Sequence, residues 1–360
     1  MIITDYIDNV ARGNLRFHKE FFFELLHAEQ GGELQNYLFE KARMVAQENF
    51  GTGIYIRGLI EVANTCHNNC YYCGIRRDNK DVTRYELTLD EILEACRRGY
   101  KLGFRTFVLQ GGEWPSIKSL KGSSLSEADK KILTWIQSIK EEFPYCALTL
   151  SLGEKSNYTY QMFKNAGADR YLLRHETINK WHYEQLHPEE MSLAERTNCL
   201  RVLKRMNYQV GSGIMIGSPM QSDECLLDDI KFLLKLDPQM IGIGPYIPHK
   251  DTPFGHIFPA GDLNTTLNFI ALCRLYFPRV LIPATTALAT LDPKGRTMGI
   301  LAGANVVMPN LTPIHVRNNY ALYDNKANMH AEAAEGLKLL EEELHGIGYH
   351  IDYGRGDYQK

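Results

Sequence analysis

Apolar and polar residues follow two different periods along the chain, and the period changes near residue 54. Before that point apolar residues recur at helical spacing, as at Phe21, Leu25 and Leu38, with polar residues between them. This spacing predicts amphipathic helices within residues 1–50. From about residue 54 to residue 308, short apolar or β-branched runs alternate with longer amphipathic stretches. Such alternation is typical of βα units that build a parallel sheet.

Eight of the short runs are predicted as strands, at residues 59–64, 106–110, 147–152, 170–174, 209–216, 240–244, 281–285 and 305–308. Helices between them begin at residues with capping chemistry. Thr88, Ser126 and Ser192 each precede an amphipathic stretch, and Glu195 follows Ser192 by three residues, as in a capping box.

Eight parallel strands close into a (β/α)8 TIM barrel more naturally than they form an open sheet of that width. An open doubly wound sheet or a partial barrel is the alternative. No repeat of 20–50 residues and no low-complexity linker interrupts the chain, so a second globular domain is not expected. We therefore predict an N-terminal helical segment at 1–50, the barrel at 51–310, and a C-terminal capping extension at 311–360 that covers the barrel.

Composition excludes several classes of protein. Apolar residues make up 44%, charged residues 23%, and the net charge is -3, values that are ordinary for a globular protein. Nothing in them favours a nucleic acid partner. No window approaches the roughly 18 apolar residues of a membrane span, and the first residues lack a charged leader followed by an apolar run. We expect a cytoplasmic protein, in which disulfides are not expected.

The eight cysteines fall into two groups. Free cysteine in an apolar segment behaves as a small hydrophobe. We expect that role for the five scattered residues Cys96, Cys146, Cys199, Cys225 and Cys273.

The other three, Cys66, Cys70 and Cys73, lie in NTCHNNCYYCGIRRDN directly after the first predicted strand. In barrels that edge forms the active site. Three thiolates can bind three irons of a cubane, whereas an ordinary iron–sulfur protein supplies a fourth cysteine. A zinc site with His67 as fourth ligand is an alternative, but a second CxxC pair is missing. Purely structural cysteines are disfavoured by the polar and aromatic neighbours.

The spacing Cys66-x3-Cys70-x2-Cys73, with Tyr72 immediately before the last cysteine, resembles the signature of the radical S-adenosylmethionine (SAM) superfamily. The resemblance implies that the cysteines hold a [4Fe–4S] cluster and that the amino and carboxylate groups of SAM bind its open iron. It also implies that Tyr72 helps to hold the adenine.

The second predicted strand ends in VLQGGE, which resembles the glycine-rich edge with which this superfamily binds the SAM amino group. Glycine suits such an edge because a close backbone approach leaves no room for a Cβ atom. Ile216 lies in a strand that resembles the adenine-contacting strand of the superfamily. The SAM-binding residues implied here are Gln110, Gly111, Gly112, Glu113, Ser151 and Ile216.

Further segments resemble the HydE family, the maturases of [FeFe]-hydrogenase: CGIRRDN (73–79), RYELTLDEI (84–92), TLSLGE (149–154), AGADRYLLRHET (166–177), GIGPYIPHKDTP (242–253), IPATTAL (282–288) and GANVVMPNLTP (303–313). The resemblance implies reductive cleavage of SAM to a 5′-deoxyadenosyl radical in maturation of the diiron subcluster. It implies a small-molecule or organometallic iron substrate, a one-electron donor such as ferredoxin or flavodoxin, and other hydrogenase maturases as partners.

The same resemblance implies individual roles. Arg174, Glu176 and Arg196 correspond to SAM-contacting residues, which fits because a guanidinium can pair with the SAM carboxylate through two hydrogen bonds. An ordinary Arg–Glu pair is the alternative for Arg174. The residues implied on the substrate side are Thr285 and Thr286, in an anion-binding turn or else packing as strand residues, and Arg317, Tyr320 and Tyr323, in a segment that covers the cavity. His175, His249 and His256 receive no role.

Other functions are left open by this reasoning. No cysteine follows Cys273, so a second cluster near the C-terminus, which some members of the family carry, is absent. This absence counts against a biotin-synthase-like sulfur insertion, which needs an auxiliary cluster. A methylornithine-synthase-like mutase is the main enzymatic alternative. A non-catalytic iron–sulfur scaffold would keep the cysteines but would not need Tyr72, the glycine-rich edge or Arg174.

Overall fold

The computed structural model describes residues 2–14, 17–115, 124–326 and 333–359. Its strands are β1 (Gly53–Ile56), β2 (Gly58–Ala63), β3 (Thr106–Gly111), β4 (Ala147–Ser151), β5 (Arg170–Leu172), β6 (Gln209–Ile216), β7 (Met240–Pro245), β8 (Val306–Val307) and β9 (His350–Asp352). Its helices are α1 (Ile3–Ala11), α2 (Lys19–Leu26), α3 (Glu33–Phe50), α4 (Leu89–Lys101), α5 (Glu127–Glu142), α6 (Asn157–Asn165), α7 (Lys180–Leu186), α8 (Leu193–Arg205), α9 (Asp223–Leu236), α10 (Leu263–Tyr276), α11 (Thr286–Leu291), α12 (Gly295–Leu301), α13 (Ile314–Arg317) and α14 (Ala333–His345).

The strands form a closed barrel, as predicted. Strands β2 to β7 make a six-stranded parallel sheet in sequential order. Single parallel bridges complete the ring: Met240 pairs with Leu281, Pro283 with Val306, and Asn310 with Leu59 of β2. The (β/α)8 barrel is therefore confirmed over the open sheet.

The predicted seventh strand at 281–285 is wrong as a regular strand, because only two isolated bridges represent it. Pro283 has no backbone N–H and cannot continue a ladder of hydrogen bonds on both sides. Two strands were not predicted. Strands β1 and β9 pair with each other, and β1 also pairs with β8, in a separate three-stranded sheet.

Helices α1 to α3 confirm the helical periodicity of the N-terminal segment, and they pack against α10. The Tyr6 hydroxyl is 2.9 Å from the Tyr276 hydroxyl. The predicted helix starts are also confirmed: Thr88 and Glu91 form a capping box, and Ser126 and Ser192 accept N–H bonds at the starts of α5 and α8. The three-part division of the chain stays a prediction. No helix among the described residues is long and apolar enough to cross a membrane.

The two ends of the barrel are built differently. At the end where the strands begin, the C-terminal tail closes the barrel: Arg170 of β5 donates to the Arg355 carbonyl at 2.8 Å and to Asp357 at 2.7 Å. Towards the other end, β6 and β7 present Gly213, Gly242 and Gly244 at positions next to the Arg174 and Thr285 side chains. Because these glycines contribute no side chains, the Arg174 and Thr285 side chains fit against the strands at this end of the barrel.

Candidate active site

The loop that contains Cys66, Cys70 and Cys73, here called the cysteine loop, follows β2 and packs on the end of β3. The Glu113 N–H donates to Cys66 Sγ at 3.3 Å, and the His67 N–H donates to the Glu113 carbonyl at 2.9 Å. A Cβ atom added at Gly112 would lie 2.2 Å from the Thr65 carbonyl oxygen. The loop can therefore approach this strand end only because residue 112 is glycine.

The other side of the loop contacts two later parts of the chain. The Tyr71 N–H donates to the Leu186 carbonyl at 3.0 Å, and the Gly74 N–H donates to the Leu322 carbonyl at 2.9 Å. Cys70 Sγ lies 3.6 Å from Met191 Sδ. The cysteine loop is thus enclosed between the end of α7 and the segment that follows α13.

The surroundings of the three thiols act on their ionisation in opposite directions. Burial raises the pKa of Cys66 and Cys70, and it raises that of Cys73 to about 12. Opposing this effect, backbone N–H groups donate to Cys66 and Cys73 and favour the thiolates. Bound iron would supply the positive charge that keeps buried thiolates ionised.

The cysteine geometry does not form a mononuclear zinc site. Among the described residues no three His, Cys, Asp or Glu side chains are placed to bind one metal ion. A cubane instead takes one thiolate at each of three irons. The proposed zinc ligand His67 is engaged elsewhere, because its Nε2 lies 3.2 Å from Glu113 Oε1.

Arg174 and Glu176 form a bidentate pair just after β5. Arg174 Nε and Nη2 donate to the two Glu176 oxygens at 2.8 and 2.9 Å, and Nη2 also donates to the Ile214 carbonyl at 2.7 Å. Glu176 has a φ of 61°, a left-handed conformation that is uncommon outside glycine. Burial opposes ionisation of Glu176, but the charge and hydrogen bonds of Arg174 and the nearby histidines together outweigh burial and lower the Glu176 pKa.

Arg196 of α8 connects this pair to the cysteine loop. Its Nη1 donates to the Arg174 carbonyl at 3.0 Å, and its Nε donates to Glu154 at 2.7 Å. Its Nη2 also lies 3.7 Å from Glu113 Oε2. Although burial disfavours the charge on Arg196, these carboxylates raise its pKa. A connected series of contacts therefore runs from the Arg174 backbone through Arg196 and Glu113 to His67.

Tyr72 is held by a neutral histidine. Its hydroxyl lies 3.2 Å from His187 Nε2, and burial lowers the His187 pKa to about 4. Tyr72 also packs against a small apolar cluster that includes Leu186 and, from β6, Met215. The neighbouring Ile216 belongs to the main core instead.

A second polar cluster lies at β2, where Glu61 is fully buried. Glu61 pairs with Lys326, and it accepts hydrogen bonds from Asn310 at 3.0 Å and Thr312 at 3.5 Å. Nearby, Gln110 Nε2 donates to the Tyr320 hydroxyl at 3.3 Å. Residues 320–326 thus bind directly to the ends of β2 and β3.

Comparison with known proteins agrees with this geometry. Residues 60–233 match the radical SAM superfamily. The [FeFe] hydrogenase maturase subunit HydE of Thermotoga maritima is 42% identical over 310 residues, which are 86% of this chain and 85% of that protein. The chain belongs to the HydE family of the radical SAM superfamily. It is a radical SAM enzyme, and its cofactors are a [4Fe–4S] cluster and SAM.

More distant radical SAM proteins share the fold. The 3-methylornithine synthase of Methanosarcina acetivorans is 28% identical over 325 residues, covering 90% of this chain and 87% of that protein. The crystal structure of methylornithine synthase (PylB) matches with a TM-score of 0.81 at 24% identity, covering 96% of this chain and 97% of that one. The structural match supports the barrel and its added segments.

The radical SAM fold brings most of the predicted cofactor residues to one end of the barrel. Ser151 pairs with Gln110 through the β3–β4 register, next to the glycine-rich edge. On the substrate side, Thr285 Oγ1 lies 3.5 Å from the Ile243 carbonyl. The Thr286 carbonyl accepts a hydrogen bond from Thr290 at 3.0 Å. These contacts do not test the predicted anion-binding role of the two threonines, which stays a prediction.

The three residues predicted to cover the cavity, Arg317, Tyr320 and Tyr323, differ in their contacts. Tyr320 and Tyr323 are close enough to Glu61 for its charge to raise their pKa values further, although burial is the larger cause. Arg317 is buried and donates to the carbonyls of Thr312 at 2.6 Å and Asn310 at 3.1 Å. Arg317 therefore holds the backbone of the segment, which is a structural contact.

The unassigned histidines lie in different surroundings. His175 is buried, with Nδ1 2.8 Å from Ser212 Oγ and Nε2 3.3 Å from Asp229, so it joins β6 to α9. His249 packs against Gly74 of the cysteine loop, and His256 is exposed. Sequence reasoning missed Glu61 and Lys326. A carboxylate inside the apolar run of β2 was the available signal for Glu61, whereas nothing in the sequence pointed to Lys326.

Proposed function

We propose that this protein is a hydrogenase maturase that cleaves SAM reductively and uses the 5′-deoxyadenosyl radical on a small organometallic iron precursor of the diiron subcluster. The observation that supports this proposal is the 42% identity to a HydE maturase across 86% of the chain. A match of 310 residues in a chain of 360 necessarily includes the cysteine loop.

In this proposal Cys66, Cys70 and Cys73 bind three irons of the cluster. When bound, the cluster supplies the electron that splits SAM into methionine and the 5′-deoxyadenosyl radical. The backbone N–H groups that donate to Cys66 and Cys73 lower the energy of the thiolates. Such donors also tune the potential of an iron–sulfur cluster.

We assign the orientation of SAM to the charged residues beside the cysteine loop. Arg174 offers a guanidinium for the SAM carboxylate, and the Glu176 carboxylate suits the sulfonium or ribose side. Arg196 positions Arg174 by donating to its carbonyl, and it also approaches Glu113 of the glycine-rich edge. Tyr72 and Met215 provide an aromatic and an apolar surface for the adenine. The rest of the proposed SAM site is formed by Gln110, Gly111, Gly112 and Ser151.

We assign the substrate to the glycine-rich interior below SAM. Thr285 and Thr286 would bind its anionic groups, and Tyr320 and Tyr323 would cover it. The contacts of residues 320–326 with β2 and β3 would exclude water from the radical, which is needed to prevent side reactions. A one-electron donor such as ferredoxin or flavodoxin, and the other hydrogenase maturases, are the proposed partners.

The direct test uses anaerobically reconstituted protein with SAM and dithionite. We expect 5′-deoxyadenosine, and the variant in which all three loop cysteines are replaced by Ala should form none. In a defined maturation mixture the chain should replace HydE and activate apo-hydrogenase. SAM cleavage without any activation, together with methylornithine formed from lysine, would instead support the mutase.

A further inference from the structure

The segment 188–192 lies between the cysteine loop and the outer surface. Its Met191 is half-buried and contacts Cys70, with 3.6 Å between the two sulfur atoms. Met191 and Ser192 line a cleft of about 270 Å³ that also reaches His67 and Glu113. The same two residues line a larger groove of about 1120 Å³ outside the barrel. One side chain therefore separates a cluster ligand from a surface groove.

The groove has an apolar floor and a basic rim. Leu193, Phe232 and Leu236 are among its apolar residues. The rim has five basic and two acidic side chains, which are Lys180, Arg201, Lys204, Arg205, Lys235, Glu184 and Glu189. The whole chain has a net charge of -3. The groove is thus locally positive on a protein that is negative overall.

The basic side chains differ in their contacts. Lys180 lies 3.8 Å from Glu184, and Lys204 lies 3.3 Å from the Asp237 carboxylate and donates to the Leu236 and Asp237 carbonyls at the end of α9. Arg201 and Arg205 of α8 and Lys235 of α9 are exposed. Two neighbouring helices therefore present positive charge to solvent around the apolar floor.

We propose that this groove docks an acidic one-electron carrier protein that reduces the cluster through the Met191 side. The proposal rests on the proposed function, which requires one electron for each SAM cleaved. In the transfer, the reduced centre of the carrier loses one electron and the oxidised cubane bound by Cys66, Cys70 and Cys73 gains it. No bond forms or breaks, and no proton moves.

The shape and charge of the groove suit such a partner. Electron-transfer complexes are weak and bury small interfaces, below about 1,200 Å² in total. Complementary charge accelerates and orients their encounter. Docking here would leave the barrel mouth to SAM and substrate, because the groove lies on the outer helices α7, α8 and α9.

The test compares charge reversal in the groove with the same reversal elsewhere. The groove variant carries Arg201→Glu and Arg205→Glu. The control carries Lys101→Glu and Lys338→Glu, which are exposed residues of α4 and α14 that do not line the groove. Both change the net charge by the same amount. Arg201→Gln with Arg205→Gln is a milder groove variant in case the reversal impairs folding.

The probe is ferredoxin, with its Kd for each reconstituted protein measured by fluorescence anisotropy at several salt concentrations. SAM cleavage is then driven either by reduced ferredoxin or by dithionite. For the groove variant we expect the Kd and the half-saturating ferredoxin concentration to rise by about tenfold. Its iron content and dithionite-driven rate should stay within about twofold of the original protein. The control should bind ferredoxin normally.

Unchanged ferredoxin affinity in both groove variants would overturn the proposal. An equal loss in the control would also overturn it, because the effect would then reflect net charge alone. Failure of the proposed function has a different signature, since dithionite would then produce no 5′-deoxyadenosine from the original protein. The Kd measurements remain informative in that case, because they do not depend on turnover.

Discussion

Gly112 decides how closely the cysteine loop packs on β3. A Cβ atom there would lie 2.2 Å from the Thr65 carbonyl oxygen and 2.8 Å from Cys66 Cβ. The first of these contacts is with backbone, so the loop itself would have to move. A glycine of the predicted SAM-binding edge therefore also positions Cys66, a proposed ligand of the cluster.

We predict that Gly112→Ala lowers the cluster content while the barrel stays folded. Overpacking of this kind typically costs about 1–3 kcal/mol, and here the strain falls on the loop proposed to bind iron. Iron and sulfide analysis after anaerobic reconstitution measures the effect. Gly346→Ala is the control, because a Cβ there meets no atom closer than 3.4 Å. Full iron content in Gly112→Ala would contradict the prediction.

Arg174 combines an observed structural contact with a proposed contact to SAM. Its guanidinium is committed to Glu176 and to the Ile214 carbonyl, as the ordinary Arg–Glu pair would be. The side chain is nonetheless 30% exposed, so part of it remains accessible. The pair and the proposed SAM contact are therefore compatible.

We predict that Arg174→Lys weakens SAM binding by about 1–3 kcal/mol, the scale of a charge-assisted hydrogen bond. Lysine cannot form the bidentate ion pair with Glu176, so the Glu176 carboxylate would lose its fixed position as well. Anaerobic titration calorimetry gives the affinity, and iron content should stay normal. Unchanged SAM affinity would assign Arg174 to the structural pair alone.

At the scale of elements, the segment from α13 to Lys326 acts as one unit over the barrel. Arg317 holds its beginning through backbone carbonyls, and Tyr320 contacts Gln110 in the middle. Lys326 pairs with the fully buried Glu61 at its end. The last contact joins residues 265 positions apart.

We predict that Lys326→Met loosens this segment. Breaking a buried ion pair from one side typically costs about 3–5 kcal/mol, because the other charge stays buried. Hydrogen exchange within residues 314–326 should become faster and the Tm should fall. Lys338→Met, an exposed change on α14, is the control. The double variant Glu61→Gln with Lys326→Met should recover much of the loss, and no recovery would argue against an ion-pair origin.

At the scale of the whole molecule, the C-terminal tail closes the end of the barrel opposite to the cysteine loop. Asp357 accepts hydrogen bonds from Arg170 of β5 and from Arg355 of the tail, each at 2.7 Å. Burial opposes ionisation of Asp357, but the two guanidinium groups outweigh it and lower its pKa. The tail is therefore held by a carboxylate that stays charged in moderately acidic solution.

We predict a stability loss in acid that depends on Asp357. Because its folded-state pKa is depressed, its contribution is complete above the unfolded pKa of about 3.9 and is lost as pH falls below that value. Differential scanning fluorimetry should show a Tm gap between the original protein and Asp357→Asn that is largest near neutral pH. The gap should narrow below about pH 4. A gap independent of pH would exclude the ion pairs as its cause.

Iron stoichiometry tests the assignment of a single cluster site. Every cysteine outside the loop is scattered, and none follows Cys273. The reconstituted protein should therefore bind about four irons per chain, the content of one cubane. Replacing all three loop cysteines by Ala should remove them. An iron content near twice that value, with a second cluster that survives in the triple variant, would contradict a single cluster site. It would then favour sulfur insertion as the function.

The sequence by itself determined the parts of this protein that depend on short spacing. The change of period predicted the helices and the barrel, and the spacing of Cys66, Cys70 and Cys73 predicted an iron–sulfur loop. The sequence also predicted the glycine-rich edge at Gln110–Glu113. These features need only local backbone geometry and a few neighbouring residues, so a linear pattern records them.

Only the tertiary structure decided which distant side chains meet. Lys326 reaches Glu61, Arg196 joins Arg174 to Glu113, and the rim of the outer groove comes from three separate helices. Such contacts form when the barrel closes and brings strand ends together, and no spacing along the chain encodes them.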